Sequence, residues 1–462
     1  MEPLACPGCL AHLARIAELE KRIASLEARL GTNSTNSSLP PSANPLGAPK
    51  PVSKKKSKRR RGGQPGHPPH LKQFLPPGRV NEVVPIRPTK CDHCRADLSA
   101  APIAADAEPT RFQTVELPPI VTRVTEYQGL ACTCPACGEV TRGVIPAAIR
   151  AHGVGPRLTA TLSYFSGCHG MSKRGVEEVA ETIFNTPIAL GTVANLEREV
   201  SAALAAPHEE ALEVVRAAEV KNADETSWKL GGKLCWLWAA ATAGVVVFKI
   251  HAKRSAVGLT ALLGGTIQGI LCSDRWGPYD RVPEARRQLC WAHLKRDFQK
   301  VVDRGGKGEG VGKAGLRVVQ RVFEAWHAHQ KKEISREGLQ ERLAPVIRRL
   351  NAVLVAGCKG DDPKAATFCN NLLELEQAMW TFARVAGVEP TNNHIERLLR
   401  RAVLWRKRSF GSQSEAGCRF VERILTVVQT RRLRGESVLE YLHDALVAAR
   451  AGLPCPKLVP NG

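Results

Sequence analysis

The feature that most constrains the fold is a change of hydrophobic period near residue 216. Beyond it, Val220–Trp228, Lys233–Ala243 and Val245–Ile250 read as three consecutive strands joined by short glycine-containing turns. A helical stretch, Ala256–Leu263, follows. The fully apolar run Gly269–Cys272 comes next, and its lack of alternation predicts a central strand buried on both faces. Gln288–Trp291 reads as a fifth strand leading into a helix through Leu294 and Phe298.

Three strands, a helix, a strand, a helix and another strand is the order of a ribonuclease-H-like fold. In such a fold one acid lies on the first strand, a second just past the fourth, and a third on a later helix. Asp224, Asp274 and Glu396 fall at those places. Taken singly, each has a bland explanation: an aspartate after a strand is often a turn or N-cap residue, and Glu396 can pair with Arg400 one helical turn on. Taken together, three carboxylates can hold two magnesium ions, with manganese able to substitute. That arrangement activates an attacking oxygen and stabilises a leaving one in phosphodiester chemistry. Glu225, next to Asp224, is expected on the opposite strand face and is the weaker candidate. Arg397, Arg400, Arg401, Arg406, Lys407 and Arg408 surround and follow Glu396 as candidate DNA-backbone contacts.

The net charge of +22 and pI near 9.6 predict a polyanionic partner, with nucleic acid ahead of a membrane surface. No apolar run is long enough to span a bilayer, and the N-terminus has no signal-peptide pattern. A cytoplasmic, nucleoid-associated location is therefore expected. The fifteen cysteines are then thiols or metal ligands rather than a disulfide framework.

The remainder divides into modules. Residues 1–30 carry Cys6 and Cys9, whose role stays open, and then a heptad seam of Ile16, Leu19, Ile23, Leu26 and Leu30. Two to three heptads are marginal alone, so the seam pairs with another chain or packs on the body; self-association is the favoured reading. Residues 31–85 read as a tether, rich in Ser, Asn, Pro and Gly. Within it Lys54, Lys55, Lys56, Lys58, Arg59, Arg60 and Arg61 suit non-specific phosphate contact, or are simply a solvated linker. Residues 86–145 hold Cys91, Cys94, Cys134 and Cys137, two Cys-x-x-Cys pairs separated by strand-like Phe112–Leu117 and Val121–Tyr127. They predict a ribbon with one structural zinc, with Cys132 an alternative to Cys134. Residues 150–212 are helical and fit a helix-turn-helix whose second helix offers Thr192, Asn195 and Arg198 to DNA; two plain packed helices fit equally well.

The core resumes after its first part, 216–303. Residues 304–386 predict a helical insertion behind a flexible glycine entrance (Gly305, Gly306, Gly308, Gly310, Gly312). Residues 387–405 carry the catalytic helix, and 406–462 a C-terminal helical tail. Cys290 and His293 tempt a metal reading, but the sequence supplies no partner pair for them.

Several segments together resemble bacterial insertion-sequence transposases of the IS sixty-six type. They are the zipper start, Asn36–Ser42, Gly62–His67, the two Cys-x-x-Cys pairs, Ala223–Thr226, Ser273–Trp276, Cys290–His293, Asn392–Arg397 and Trp405–Gly411. The resemblance implies a DDE transposase with a ribonuclease-H-like core, acting on element ends and target DNA as a multimer, with Asp224, Asp274 and Glu396 as its acids. It leaves open whether companion proteins of the same element are needed. Two further classes fit parts of the pattern: a DNA-binding regulator using the zinc and helical modules, and a nuclease without strand transfer.

Overall fold

The computed structural model describes residues 7–30, 73–104 and 106–459. Cys6 and the basic run Lys54–Arg61 lie outside the described residues. Two units emerge, residues 49–122 on one side and 1–48 with 123–462 on the other.

The 49–122 unit contains no strand among its described residues. A side-chain amide organises its start: Gln113 accepts the Leu75 N–H at 2.8 Å and donates to the Leu75 carbonyl at 3.2 Å. Phe112–Leu117, expected as a strand, is not one. Its alternation is real, but no neighbouring strand takes up its backbone groups, and Phe112 and Val115 stay exposed. Val121–Tyr127 likewise forms no strand.

In the larger unit, α1 (Pro7–Leu30) carries the heptad seam. Ile16, Leu19, Ile23 and Leu26 are 42–54% exposed, so no described residue covers them fully. A hairpin of β1 (Ala131–Thr133) and β2 (Val140–Arg142) follows. Next come the short α2 (Ala147–Arg150), then α3 (Pro156–His169), α4 (Lys173–Thr182), α5 (Leu190–Ala203) and α6 (Ala205–Ala217). Pro156 at the first turn and Gly170 in the left-handed cap delimit α3. The Ser172 hydroxyl accepts the Gly175 N–H to start α4. Leu162, Val176, Ala180, Val193 and Leu196 form a small core among α3, α4 and α5.

A five-stranded sheet follows: β3 (Val220–Leu230), β4 (Lys233–Ala241), β5 (Val246–His251), β6 (Ile270–Ser273) and β7 (Arg287–Leu289), with α7 (Ala256–Leu263) between β5 and β6. The order is β5-β4-β3-β6-β7; the first three run antiparallel, and β3-β6 and β6-β7 are parallel. Trp291 begins α8 (Trp291–Arg304) rather than ending a strand. The helices α9 (Glu309–Gln330), α10 (Arg336–Cys358), α11 (Pro363–Leu373), α12 (Glu376–Met379) and α13 (Thr381–Arg384) share one core with α8 and the β6–β7 side of the sheet. The glycines expected to make a flexible entrance divide. A Cβ on Gly312 would meet the Phe298 carbonyl, and Gly315, outside that set, would put one 2.1 Å from the Phe298 ring, so these two glycines let α9 lie close on α8. Only Gly305 and Gly306, both at positive φ, make the turn itself.

The chain closes with α14 (Asn393–Ser409), α15 (Glu415–Leu433) and α16 (Val438–Arg450). The region read as a C-terminal tail is built into the core. Side chains of α15 bond the free edge of β5: Thr430 Oγ1 accepts the Val246 N–H at 3.2 Å, Thr426 Oγ1 the Phe248 N–H at 3.1 Å, and a Glu422 carboxylate oxygen the Ile250 N–H. Two strand residues advance about 6.6 Å and four helical residues about 6 Å, so alternate N–H groups meet every fourth helical side chain. At the opposite edge the Thr381 hydroxyl donates to the Arg287 carbonyl of β7 at 2.6 Å, and the Gln288 amide donates to the Met379 carbonyl and accepts the Phe382 N–H. Neither edge is open to another strand.

Candidate active site

Strand alternation sorts the acids. Asp224 pairs with Ala239, and the face they share with Trp228, Leu237 and Phe248 packs under Ile395, Leu398 and Leu399 of α14. Glu225 falls on the other face, as expected. There Arg254 and the Tyr279 hydroxyl each hold its carboxylate at 2.8 Å. Arg254 in turn lies between the Trp236 and Trp276 rings, 5.0 and 4.4 Å from their centroids.

Register brings the first two acids abreast. Asn222 lies opposite Cys272 in the parallel pair, and two residues further along each chain stand Asp224 and Asp274. Asp224 is half-buried in the sheet. Desolvation raises its pKa well above the ordinary carboxylate value, and the charges of Glu225, Asp274 and Glu396 push the same way. Its Oδ1 accepts the Glu225 N–H at 2.8 Å. Asp274 Oδ1 accepts the Trp276 N–H at 2.9 Å, so the turn role is real and coexists with proximity to Asp224.

Glu396 lies in the first turn of α14. It does not pair with Arg400: its ion-pair neighbours among the described residues are His293 Nδ1 at 3.6 Å and Arg296 at 3.9 Å, both on α8. His293 Nδ1 and Glu396 Oε1 are buried and make no hydrogen bond. Burial lowers the pKa of His293, with Arg296 acting in the same direction.

Asn392, just before α14, is 1% exposed and ties these segments together. Its side-chain amide donates to the Ala223 carbonyl and accepts from the Asn222 amide, both at 2.8 Å. Its N–H donates to Cys290 Sγ at 3.1 Å, and its carbonyl takes the Glu396 N–H at 3.3 Å. The Cys290 N–H bonds the Ser273 carbonyl, next to Asp274, at 2.9 Å. One buried network therefore touches the neighbour of every acid. Sequence reading assigned Asn392 no role, although it opens the Asn392–Arg397 segment that carries part of the family resemblance. Burial pushes the Cys290 thiol up to about 11.

The basic residues near Glu396 divide. Arg397 and Arg400 are exposed with no bond to the protein among the described residues, and Lys407 is exposed as well. Arg401 donates to the Cys168 carbonyl, Arg408 to the His169 carbonyl, and Arg406 to Thr226 and Ser227 on β3. These last three hold α14 to its surroundings. On α5, Thr192 is half-buried, while Asn195 and Arg198 are exposed and bonded to each other.

The two Cys-x-x-Cys turns share one backbone pattern, each in its own unit. The Arg95 N–H bonds the Cys91 carbonyl and the Cys91 N–H bonds the Ala96 carbonyl. Gly138, Cys134 and Glu139 repeat this arrangement. Arg95 and Gly138 both have positive φ, at 63° and 77°. Backbone N–H groups of Cys94 and His93 lower the pKa of Cys91, and those of Ala136 and Cys137 lower that of Cys134. Cys132 lies in β1, outside this turn.

Comparison with known proteins adds family information. The model of a family described as "Transposase IS66 family" matches residues 152–419, more than half of the chain. The model of a family of unknown function matches residues 6–73. The uncharacterized protein y4qI of Sinorhizobium fredii (strain NBRC 101917 / NGR234) is 26% identical over 279 residues, covering 54% of this chain and 51% of that protein. The chain thus spans about half the length of this curated relative.

Proposed function

Because the chain belongs to the IS66 transposase family, we propose that it binds the ends of an insertion sequence and catalyses DNA strand cleavage and strand transfer through Asp224, Asp274 and Glu396. The observation that carries this is the convergence of those three acids, from β3, the end of β6 and the start of α14. The sheet order, three antiparallel strands followed by two parallel ones, supports a ribonuclease-H-like core.

The donor set fits a hard divalent cation. Carboxylates with a buried, unbonded oxygen at Glu396 and a charge-crowded Asp224 are what such an ion relieves. Asp224, Asp274 and Glu396 would hold magnesium or manganese, which supplies charge neutralisation at the phosphate and activation of the attacking oxygen. The protein's own part is positioning. Asn392 fixes the start of α14 against β3, the β3–β6 register sets Asp224 beside Asp274, and Arg296 balances Glu396 while the site is formed. Arg397, Arg400 and Lys407 are free to meet phosphates.

The other modules take supporting roles in this reading. Both Cys-x-x-Cys turns act as zinc knuckles, each giving two of the four thiolates that a closed structural site needs. Asn195 and Arg198 on α5 and the basic run Lys54–Arg61 contact DNA, and the exposed α1 seam pairs with a second copy. Among the described residues no helix is long and apolar enough to cross a membrane.

Strand mapping tests the proposal. Purified wild type and Asp274→Ala are incubated with magnesium and the DNA flanking the gene, and 3′-ends are mapped. Cuts at the element ends with joined products, absent in the variant, are the expected result. DNA binding without cleavage, also after companion proteins of the element are added, would favour a regulator; cuts without joined products would favour a nuclease.

A further inference from the structure

Three turns in this chain present a cysteine in the same way. Cys91 receives backbone N–H groups from residues 93 and 94, Cys134 from residues 136 and 137, and Cys290 from Ala292 and His293. In each, the residue three positions on carries a further donor: Cys94, Cys137 and His293. N–H groups directed at sulfur favour the thiolate, the form that binds metal; at Cys290 burial outweighs them, so the thiol keeps its proton until a cation displaces it.

The third turn has an added neighbour. One ligand atom from each of Cys290, His293 and Glu396 lies within 4.8 Å of the other two. Two of the polar atoms there, His293 Nδ1 and Glu396 Oε1, are buried, face each other at 3.6 Å and make no hydrogen bond. Buried polar atoms are normally satisfied, so two unsatisfied ones facing each other call for a ligand.

We propose that Cys290, His293 and Glu396 form a three-ligand site for a borderline-soft divalent cation of the zinc class, and that filling it withdraws Glu396 from the hard-cation site. Thiolate and imidazole suit zinc and serve magnesium poorly, whereas a carboxylate serves both. Three protein ligands also leave a fourth position open, unlike a four-thiolate site. Binding releases the Cys290 thiol proton to solvent, and the Arg296 guanidinium, 3.9 Å from Glu396, yields its place as counter-charge. The site stands on these side chains alone; the competition rests on the reading of Glu396 as the third acid.

Cobalt reports on both parts. Full-length protein is stripped of metal, loaded with one equivalent of zinc, which the closed four-thiolate site takes first, and titrated with Co²⁺ in magnesium buffer. Wild type is expected to bind one further cobalt with a thiolate-to-cobalt absorption band. Cys290→Ser loses that band, and His293→Gln weakens binding by roughly tenfold or more. The His293 side chain is 25% exposed, so His293→Gln keeps the test informative should the buried Cys290 variant misfold, with circular dichroism as the check. No extra band in wild type, or a band that neither variant changes, would overturn the site. Zinc at site-filling concentration is then expected to slow strand cleavage by wild type more than by His293→Gln; equal slowing, or none, overturns the competition. A cobalt band in a protein that never cleaves DNA counts against the reading of the acids and supports the site.

Discussion

The side-chain amide of Asn392 donates to the backbone carbonyl of Ala223 across 2.8 Å, joining the segment before Glu396 to the residue before Asp224. Two acids 172 positions apart in sequence therefore share one support, which bonds the Glu396 N–H through its own carbonyl and reaches Asp224 through the neighbouring Ala223.

Asn392→Ala should act on both stability and chemistry. It removes the bonds to Ala223 and to Asn222 and leaves those groups buried, which costs about 1–3 kcal/mol. The urea midpoint should fall accordingly. Strand cleavage measured well below that midpoint should fall further than the loss of folded protein explains. Activity that simply tracks the folded fraction would show that Asn392 has no positioning role.

Asp224→Asn, Asp274→Ala and Glu396→Gln should each reduce cleavage and joining by roughly a thousandfold, the effect of losing several kcal/mol of charge stabilisation at the phosphate. DNA binding by gel shift should persist in all three. Asp224→Asn should also stabilise the fold, since it removes a desolvated carboxylate crowded by Glu225 and the other two acids.

The edge of β5 offers a stability test away from the site. Thr426→Val removes the acceptor of the Phe248 N–H while keeping nearly the same volume. The orphaned donor should cost about 1–3 kcal/mol, read as a lower denaturation midpoint. Thr430→Val should behave alike, because Thr430 both accepts from and donates to Val246.

Glu422 supplies a pH dependence. Burial raises its pKa to about 7 from 4.5. Between those values the folded protein holds a proton that the unfolded chain has released, so this group's contribution to stability is complete below pH 4.5 and is lost as pH rises to 7. The full loss is on the order of 3 kcal/mol. Glu422→Gln should flatten the curve of stability against pH over that window and be more stable than wild type at pH 8. The difference between the two proteins isolates Glu422 from histidines that titrate nearby.

At limiting zinc, one equivalent per chain should settle in the closed thiolate site, and chelation should release it with loss of structure around the cysteine turns. Cys91→Ser or Cys137→Ser should lower zinc content measured by atomic emission, whereas Cys132→Ser should leave it unchanged. Equal loss in Cys132→Ser would reassign the ligand.

What was legible in the sequence was local. The pattern over Val220–Trp228 and the unbroken apolar run before Asp274 identified strands to within two or three residues, because strand period and burial are written in consecutive side chains. Strand period put Glu225 on the face opposite Asp224. It also misread Phe112–Leu117, since alternation shows what can pair and not whether a partner is present.

The glycines of 305–315 and the last 50 residues needed the tertiary structure. A glycine in a turn and a glycine beneath Phe298 look identical in sequence, and only packing separates them. Nothing in the stretch expected as a helical tail marks Glu422, Thr426 and Thr430 until β5 is seen to bond its N–H groups to them. Likewise the sequence alone determined which carboxylates, cysteines and histidines the chain has and which secondary elements carry them. Their meeting was decided by strand register and by one buried amide, because hydrogen bonds between Asn392, Ala223 and Cys290 span more than a hundred residues and leave no periodic trace.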